Sequence, residues 1–186
     1  IPYQAMPVKE VPSENKVNKV PLITEPFLLV VARLEPENSI LEVINAYRLS
    51  KSKCQLVVVG NTDTRYYRQE LSRFNGDVIF TSGIYDQNIL NSLRGRCSAY
   101  IHGHTVGGTN PSLREAMVTV KASILAKDTI FNREVLGSSG NYFTNSDDLL
   151  NYFSDLSSCN LNNPKHRDIR YSEESIATSY FNVFKS

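Results

Sequence analysis

The chain has 186 residues, 41% of them apolar and 21% charged, with a formal net charge of +1. This composition suits one soluble globular domain or little more, and excludes disordered, collagen-like and coiled-coil chains. Its 20 basic and 19 acidic residues are mixed along the chain and leave no basic face for nucleic acid or an anionic membrane.

No apolar run approaches the roughly 20 residues of a membrane span. The opening stretch, IPYQAMPVKEVPSENK, has neither the basic nor the apolar region of an export signal. Cys54, Cys97 and Cys159 are far apart and form no C-x-x-C pair. Reduced thiols in a cytoplasmic protein are therefore expected, without thiol or zinc chemistry.

Five of the eight prolines fall in the first 26 residues, among polar and charged residues, so 1–26 reads as a linker. Residues 27–186 form the domain proper. Short apolar runs at 27–32, 55–60, 77–81, 98–102 and 121–126 are continuous and mostly rich in Val and Ile, as strands covered on both faces are. Helical spacing occupies 39–49, 64–74, 86–96, 111–118, 147–157 and 172–184, with Ser146 and Ser172 placed as N-caps. Strands and helices alternating at this pitch imply right-handed crossovers, hence an α/β fold with a Rossmann-like, doubly wound parallel sheet. Ligands bind such sheets beyond the carboxyl ends of the strands. That rule selects 33–38, 60–61, 82–85, 102–110 and 127–134, stretches supplied with Gly, Arg, His and Asn.

The richest segment is HGHTVGGTNPSLREAM, residues 102–117. Gly107 and Gly108 make the turn, Asn110 is the candidate N-cap, and Pro111 takes the first helical position, where its missing N–H costs nothing. A glycine-flanked helix start offers free N–H groups and a positive dipole end to an anion. Thr109, Asn110 and Ser112 are expected to add side-chain donors, and Glu115 to accept hydrogen bonds from a vicinal diol. Phosphate at the helix start and a diol one turn on describe a nucleotide diphosphate. The plainer alternative is a tight turn with Glu115 on a solvated face. Neither a P-loop nor a G-x-G-x-x-G fingerprint is present.

VVARLEPENSI, QLVVVGN, VIFTSGIYD, GGTNPSLREAM, ILAKDTIFNREVLGSSGNYF and YSEESIATSYFNVF occur in an order that resembles the donor-binding half of family-4 retaining glycosyltransferases of GT-B fold. The GGTNPS loop is similar to that of bacterial surface-polysaccharide enzymes of rhamnosyl type. The resemblance implies a diphosphate contact for Arg33 and a ribose contact for Glu115, the two residues expected to carry catalysis from this half. Asn38 stands where the family has a lysine, and Gly107 where it has a glutamate that contacts the donor sugar. Asn38, Gly107, Gly108, Thr109, Asn110 and Ser112 are then the diphosphate set. The Gly107 departure suggests a donor sugar lacking the usual hydroxyls, such as a deoxy sugar.

By the same resemblance Ile84 and Tyr85 meet the base, although Tyr85 also reads as a packing residue. His104 and Glu134 are candidate sugar or phosphate contacts, and Glu134 reads equally as an acid near a helix start. His102 is expected on the opposite face from His104, in a structural role, and His166 at the surface. No Asp-x-Asp metal motif occurs, and no metal or other cofactor is expected.

The implied activity transfers a sugar from a nucleotide-diphosphate sugar to an acceptor hydroxyl with retention, in capsule, O-antigen or exopolysaccharide synthesis. The saccharide or lipid-linked acceptor is expected on an N-terminal domain missing here, so this fragment alone should turn over little. The full enzyme would be cytoplasmic, with peripheral association to the inner membrane face. A non-catalytic nucleotide-binding module with a degenerate site and a GT-B nucleotide-sugar epimerase are the competing readings.

Overall fold

A computed structural model describes residues 23, 26–107 and 110–156. The expected helix at 172–184, almost all of the 1–26 linker, Gly108, Thr109, Cys159, His166 and the cap Ser172 lie outside the described residues.

Six parallel strands form one sheet in the order β3-β2-β1-β4-β5-β6. They are β1 (Phe27–Val31), β2 (Gln55–Val59), β3 (Ile79–Thr81), β4 (Ala99–His102), β5 (Ser123–Lys127) and β6 (Asn141–Phe143). The helices are α1 (Ile40–Ser50), α2 (Gln87–Arg96), α3 (Pro111–Thr119), α4 (Ile130–Leu136) and α5 (Ser146–Asp155). The chain builds outward from β1 to β3 and then returns to the other side of β1 with β4. The strand order therefore reverses between β1 and β4.

Side chains alternate across the strands and divide the core in two. Leu28, Val30, Leu56, Val58 and Ile101 face α1 and α5, where Ile40, Val43 and Ile44 meet Leu149 and Phe153. Phe27, Leu29, Val57, Val59 and Tyr100 face the other way, toward Leu90 and Leu93 of α2, Leu113 and Met117 of α3, and Val135 and Leu136 of α4. Burial on both faces is why the strands read as continuous apolar runs.

The expected elements differ in places. Between β2 and β3 the helical stretch is a π-helical turn at Tyr67–Leu71 followed by a 3₁₀ turn at Ser72–Phe74. The cap of α5 is Asn145 rather than Ser146: its Oδ1 accepts from the N–H groups of Asp147 at 2.9 Å and Asp148 at 3.0 Å, and Ser146 is the first helical residue. Strand β6 has no counterpart in the sequence pattern, and α4 has none beyond the helix start considered for Glu134, because three and seven residues are too few to show a period. Among the described residues, no helix is long and apolar enough to cross a membrane.

The loops after β1 and β4 pack backbone against backbone. A Cβ on Gly103 would fall on the carbonyl oxygen of Asn38. Nothing lies within 4 Å of the corresponding position on Gly76. Gly103→Ala is therefore expected to destabilise the fold by about 2 kcal/mol, typical of overpacking against backbone that cannot yield. Gly76→Ala should be neutral or stabilise by up to about 1 kcal/mol by restricting the unfolded chain. Thermal denaturation of the two variants side by side measures the difference.

Candidate functional site

A cleft of about 530 Å³ opens at the carboxyl edge of the sheet, across the reversal between β1 and β4. Such a reversal leaves a crevice because neighbouring crossovers turn to opposite faces of the sheet. The loop after β1 contributes Arg33 and Asn38, and the loop after β3 contributes Gly83, Ile84 and Tyr85. His104 and Gly107 follow β4, while Asn110, Pro111, Ser112 and Glu115 come from the start of α3.

The start of α3 is built as its sequence demands. Asn110 has extended backbone and caps the helix, its Oδ1 accepting from the N–H of Ser112 at 3.0 Å, and Pro111 follows at the first helical position. The hydroxyl of Ser112 is not held out as a ligand donor, whereas the cap engages only Oδ1 of Asn110. The Ser112 hydroxyl donates to the Val31 carbonyl at 3.2 Å and accepts from the buried Tyr100 hydroxyl at 2.7 Å. The helix start is thus tied to the end of β1. What α3 presents to the cleft is its dipole and backbone.

Glu115 lies one turn further on. Its Oε2 is 2.7 Å from Nη2 of Arg94, a side chain only 1% exposed, whereas the Glu115 side chain is 23% exposed. Arg94 also donates from Nη1 to Asn91 Oδ1 at 3.1 Å, and Nη2 lies 3.5 Å from Ser112 Oγ. Among the described residues its Nε has no hydrogen-bond partner. The guanidinium therefore orients the carboxylate at the cleft wall. The sequence reading missed Arg94, although a signal was present: it occupies the apolar stripe of α2 defined by Leu90, Leu93 and Cys97.

Asn38 is buried rather than turned toward a ligand. Its Nδ2 donates to the Arg33 carbonyl at 2.9 Å, and its Oδ1 is 2.9 Å from His104 Nδ1. The expected diphosphate contact of its side chain is thus replaced by a bridge between two loops. The N–H and hydroxyl of Thr105 both donate to the Glu37 carbonyl at 2.9 Å, adding to the same seam. From the other side, Asn132 donates from Nδ2 to the carbonyls of His104 at 3.0 Å and Lys127 at 2.8 Å. Burial lowers the pKa of His104, an effect opposed by Glu37 and reinforced by Arg33.

His102 does not face away from His104. Residues two apart on a strand share a face, and the rings are 6.1 Å apart. His102 is buried against Tyr100, and burial pushes its pKa down to about 3. It is a neutral core side chain.

Arg33 is 76% exposed at the rim, with Nη2 at 3.2 Å from Glu37 Oε1. Tyr85 is 86% exposed and so is not a packing residue, while Ile84 is half-buried against the core. Gly107 sits under the Phe131 ring, which would lie 2.7 Å from a Cβ at that position. Glu134 is exposed on α4 and does not line the cleft. Its neighbour Arg133 pairs with Asp128 at 2.5 and 2.7 Å and lies over the Tyr142 ring. Among the described residues, no group of three or more His, Cys, Asp or Glu side chains could hold a metal ion. Cys54 and Cys97 are buried and form no disulfide among the described residues, and burial pushes the Cys97 thiol up to about 12.

Comparison with solved structures returns α/β glycosyltransferase folds. An α,α-trehalose-phosphate synthase (UDP-forming) from Burkholderia xenovorans aligns with a TM-score of 0.68 and 13% identity, over 86% of this chain and 43% of that one. TarM aligns with a TM-score of 0.64 and 15% identity, over 90% of this chain and 38% of that one. The C-terminal domain of a glycosyl transferase group 1 family protein, LpcC, from Francisella tularensis aligns over 95% of both chains, with a TM-score of 0.63 and 18% identity. The chain thus spans less than half the length of the first two and nearly the whole of the third. A search of curated protein sequences returns no significant match. The family described as glycosyl transferases group 1 matches residues 13–173. With the sheet order and the cleft at its reversal, this match identifies the chain as a member of the glycosyl transferases group 1 family, with the fold of the C-terminal domain of a GT-B glycosyltransferase.

Proposed function

We propose that this chain binds the nucleotide-diphosphate sugar of a retaining glycosyltransferase. The observation that carries the reading is the convergence, in one cleft, of Arg33, the start of α3 and the oriented carboxylate of Glu115. In this reading the diphosphate lies against α3 and Arg33, with Gly108 and Thr109 assigned to it from the sequence. The ribose diol bonds Glu115, and the base stacks at Ile84 and Tyr85. An exposed tyrosine offers a flat apolar face to a base at little entropic cost.

As the glycosidic bond breaks, negative charge grows on the departing diphosphate. Donors fixed in advance stabilise that charge without reorganising, so the chemistry asks for no metal or other cofactor. The acceptor, a saccharide or lipid-linked hydroxyl, would be bound by another part of a cytoplasmic enzyme working at the inner membrane face in bacterial surface-polysaccharide synthesis.

The sugar would lie near Gly107 and His104. There Phe131 covers the place where a longer side chain at 107 would stand. A ring in that position leaves a sugar hydroxyl without a partner, which favours a deoxy sugar. An unpaired polar group on burial costs roughly 1–3 kcal/mol, so a deoxyhexose conjugate should bind about tenfold more tightly than the glucose conjugate of the same nucleotide. Calorimetry with both conjugates on uridine, guanosine and thymidine diphosphates checks this. A chain that binds none of the three diphosphates returns the reading to a degenerate, non-catalytic module.

Arg33→Ala should cost roughly 2 to 4 kcal/mol of transition-state stabilisation in the transferring enzyme, the scale of one lost oxyanion donor. It should leave the fold intact, because the side chain is exposed. Single-turnover rates test the first expectation and thermal melts the second.

Arg94→Met should lower stability by about 3 kcal/mol. That is the lower end for a broken buried pair, because Glu115 still reaches water. Nucleoside diphosphate affinity should fall as well, and Arg94→Lys should restore neither, since one ammonium cannot replace the fork that meets Asn91, Ser112 and Glu115 together. Denaturant melts and calorimetry on the two variants provide the check.

A further inference from the structure

We propose that Asn38 is a positioning residue that holds His104 as its Nδ1–H tautomer, leaving Nε2 unprotonated to accept a hydrogen bond from a hydroxyl of the donor sugar. The second half of this proposal rests on the donor-site reading of the cleft. The first half does not.

The amide of Asn38 has only one consistent orientation. The Arg33 carbonyl oxygen can only accept, so the atom 2.9 Å from it must be the NH₂ group. The atom 2.9 Å from His104 Nδ1 is then the amide oxygen, which can only accept, so Nδ1 must carry the proton. A flipped amide would set two carbonyl oxygens against each other. The partners of the amide are themselves fixed. The Asn38 carbonyl lies against Gly103, and Asn132 holds the His104 carbonyl at 3.0 Å.

The charged and titratable groups around the ring come from two elements. Glu37 and Arg33, paired with each other on the β1–α1 loop, act in opposite directions, and His102 on β4 is neutral. Asn132 of α4 adds no charge. Burial lowers the His104 pKa and so favours the neutral form of the ring. A histidine at the edge of an anion site is readily taken for a cation that meets phosphate. Here it is a neutral acceptor, and the acceptor atom is the nitrogen that Asn38 does not use.

The sign of the pH dependence follows. The folded-state pKa of His104 is lowered, so the acceptor is present above that pKa and lost as pH falls through it. Proton uptake then converts Nε2 into a donor. The hydroxyl must then reverse its direction and accept from the ring, so the contribution of the sugar to binding should change on acidification below the ordinary histidine range.

Two measurements on the full chain decide the matter. Nitrogen NMR of the unmodified protein at neutral pH should show His104 with Nδ1 protonated and Nε2 bare; the opposite tautomer, or an imidazolium, overturns the positioning role of Asn38. Calorimetry then compares uridine, guanosine and thymidine diphosphates with their hexose and 6-deoxyhexose conjugates. Asn38→Asp places a carboxylate beside Nδ1 and should raise the His104 pKa. It should reduce the gain in affinity from the sugar, roughly three- to tenfold for one hydrogen bond; because the same change loses the donation to the Arg33 carbonyl, that gain is read as the ratio of conjugate to bare diphosphate affinity within the variant. His104→Phe should lose the same gain at every pH.

A gain from the sugar that survives both substitutions overturns the hydroxyl contact. Should none of the diphosphates bind, the donor-site reading and the hydroxyl contact fall together, while the NMR result still decides the tautomer.

Discussion

The cleft depends on a constraint at the centre of the sheet. Where β1 and β4 lie side by side, their crossovers leave in opposite directions, and the two loops, in backbone contact at Asn38 and Gly103, are fixed by side-chain hydrogen bonds rather than by further strand pairing. Three polar groups do this: Asn38 links the loop after β1 to His104, Ser112 links the start of α3 to Val31, and Asn132 links the loop after β4 to the end of β5. All three are largely removed from solvent, where an unmade hydrogen bond costs about 1–3 kcal/mol while a made one contributes about 1. That asymmetry fixes geometry more than it adds stability. The loops have one arrangement that satisfies every group, and the cleft is what that arrangement leaves open.

The electrostatics of the cleft follow the same division between groups that build and groups that face out. Arg94 is the buried cation, yet its charge is spent on Glu115. Arg33 is the exposed one, paired only with Glu37 at the rim, where solvent leaves such a pair worth less than about 1 kcal/mol. On the proposed reading, an arriving diphosphate would therefore take Arg33 from Glu37 at small cost. It cannot take Arg94 from Glu115 without stranding a carboxylate. The near-zero net charge of the chain fits a site whose positive potential is concentrated in one arginine and one helix end.

The strands of the inner sheet were legible because burial on both faces leaves unbroken apolar runs, and the start of α3 was legible because Asn-Pro after paired glycines has few other uses. Strand β6 carries only Asn141, Tyr142 and Phe143, and no periodicity survives in three residues. For the site, the sequence pointed to the edge where the cleft lies, but not to the hydrogen bonds that several of its side chains make within the protein. Asn38 and His104 are 66 residues apart, so no local pattern records that each is the other's partner. Ser112 was read as a donor because the helix start faces an anion site, but its neighbour in space is the end of β1. Arg94 is the opposite case: an arginine in an apolar helical stripe must have a buried acid or several acceptors nearby, and Glu115 could have been matched to it from the two helices alone.

The substitution pattern at Asn38 and Gly107 has one physical meaning when the two are taken together. Both positions stand where the resemblance places a charged side chain, and both are now occupied by something that serves packing: an amide spent on two loops, and a missing side chain whose space is roofed by Phe131. Removing a cation weakens the hold on phosphate, and removing a carboxylate weakens the hold on sugar hydroxyls. A degenerate site would lose the supporting structure as well, since nothing would keep buried polar groups in register once their ligand had gone. Here the support is largely kept: the amide of Asn38, the hydroxyl of Ser112 and the amide of Asn132 all have partners, and Glu115 is aimed by Arg94, while Arg94 Nε and His102 Nε2 are left without one among the described residues. On the proposed reading, an arrangement that preserves the frame while exchanging charge for apolar surface on the sugar side would change the sugar accepted rather than remove binding.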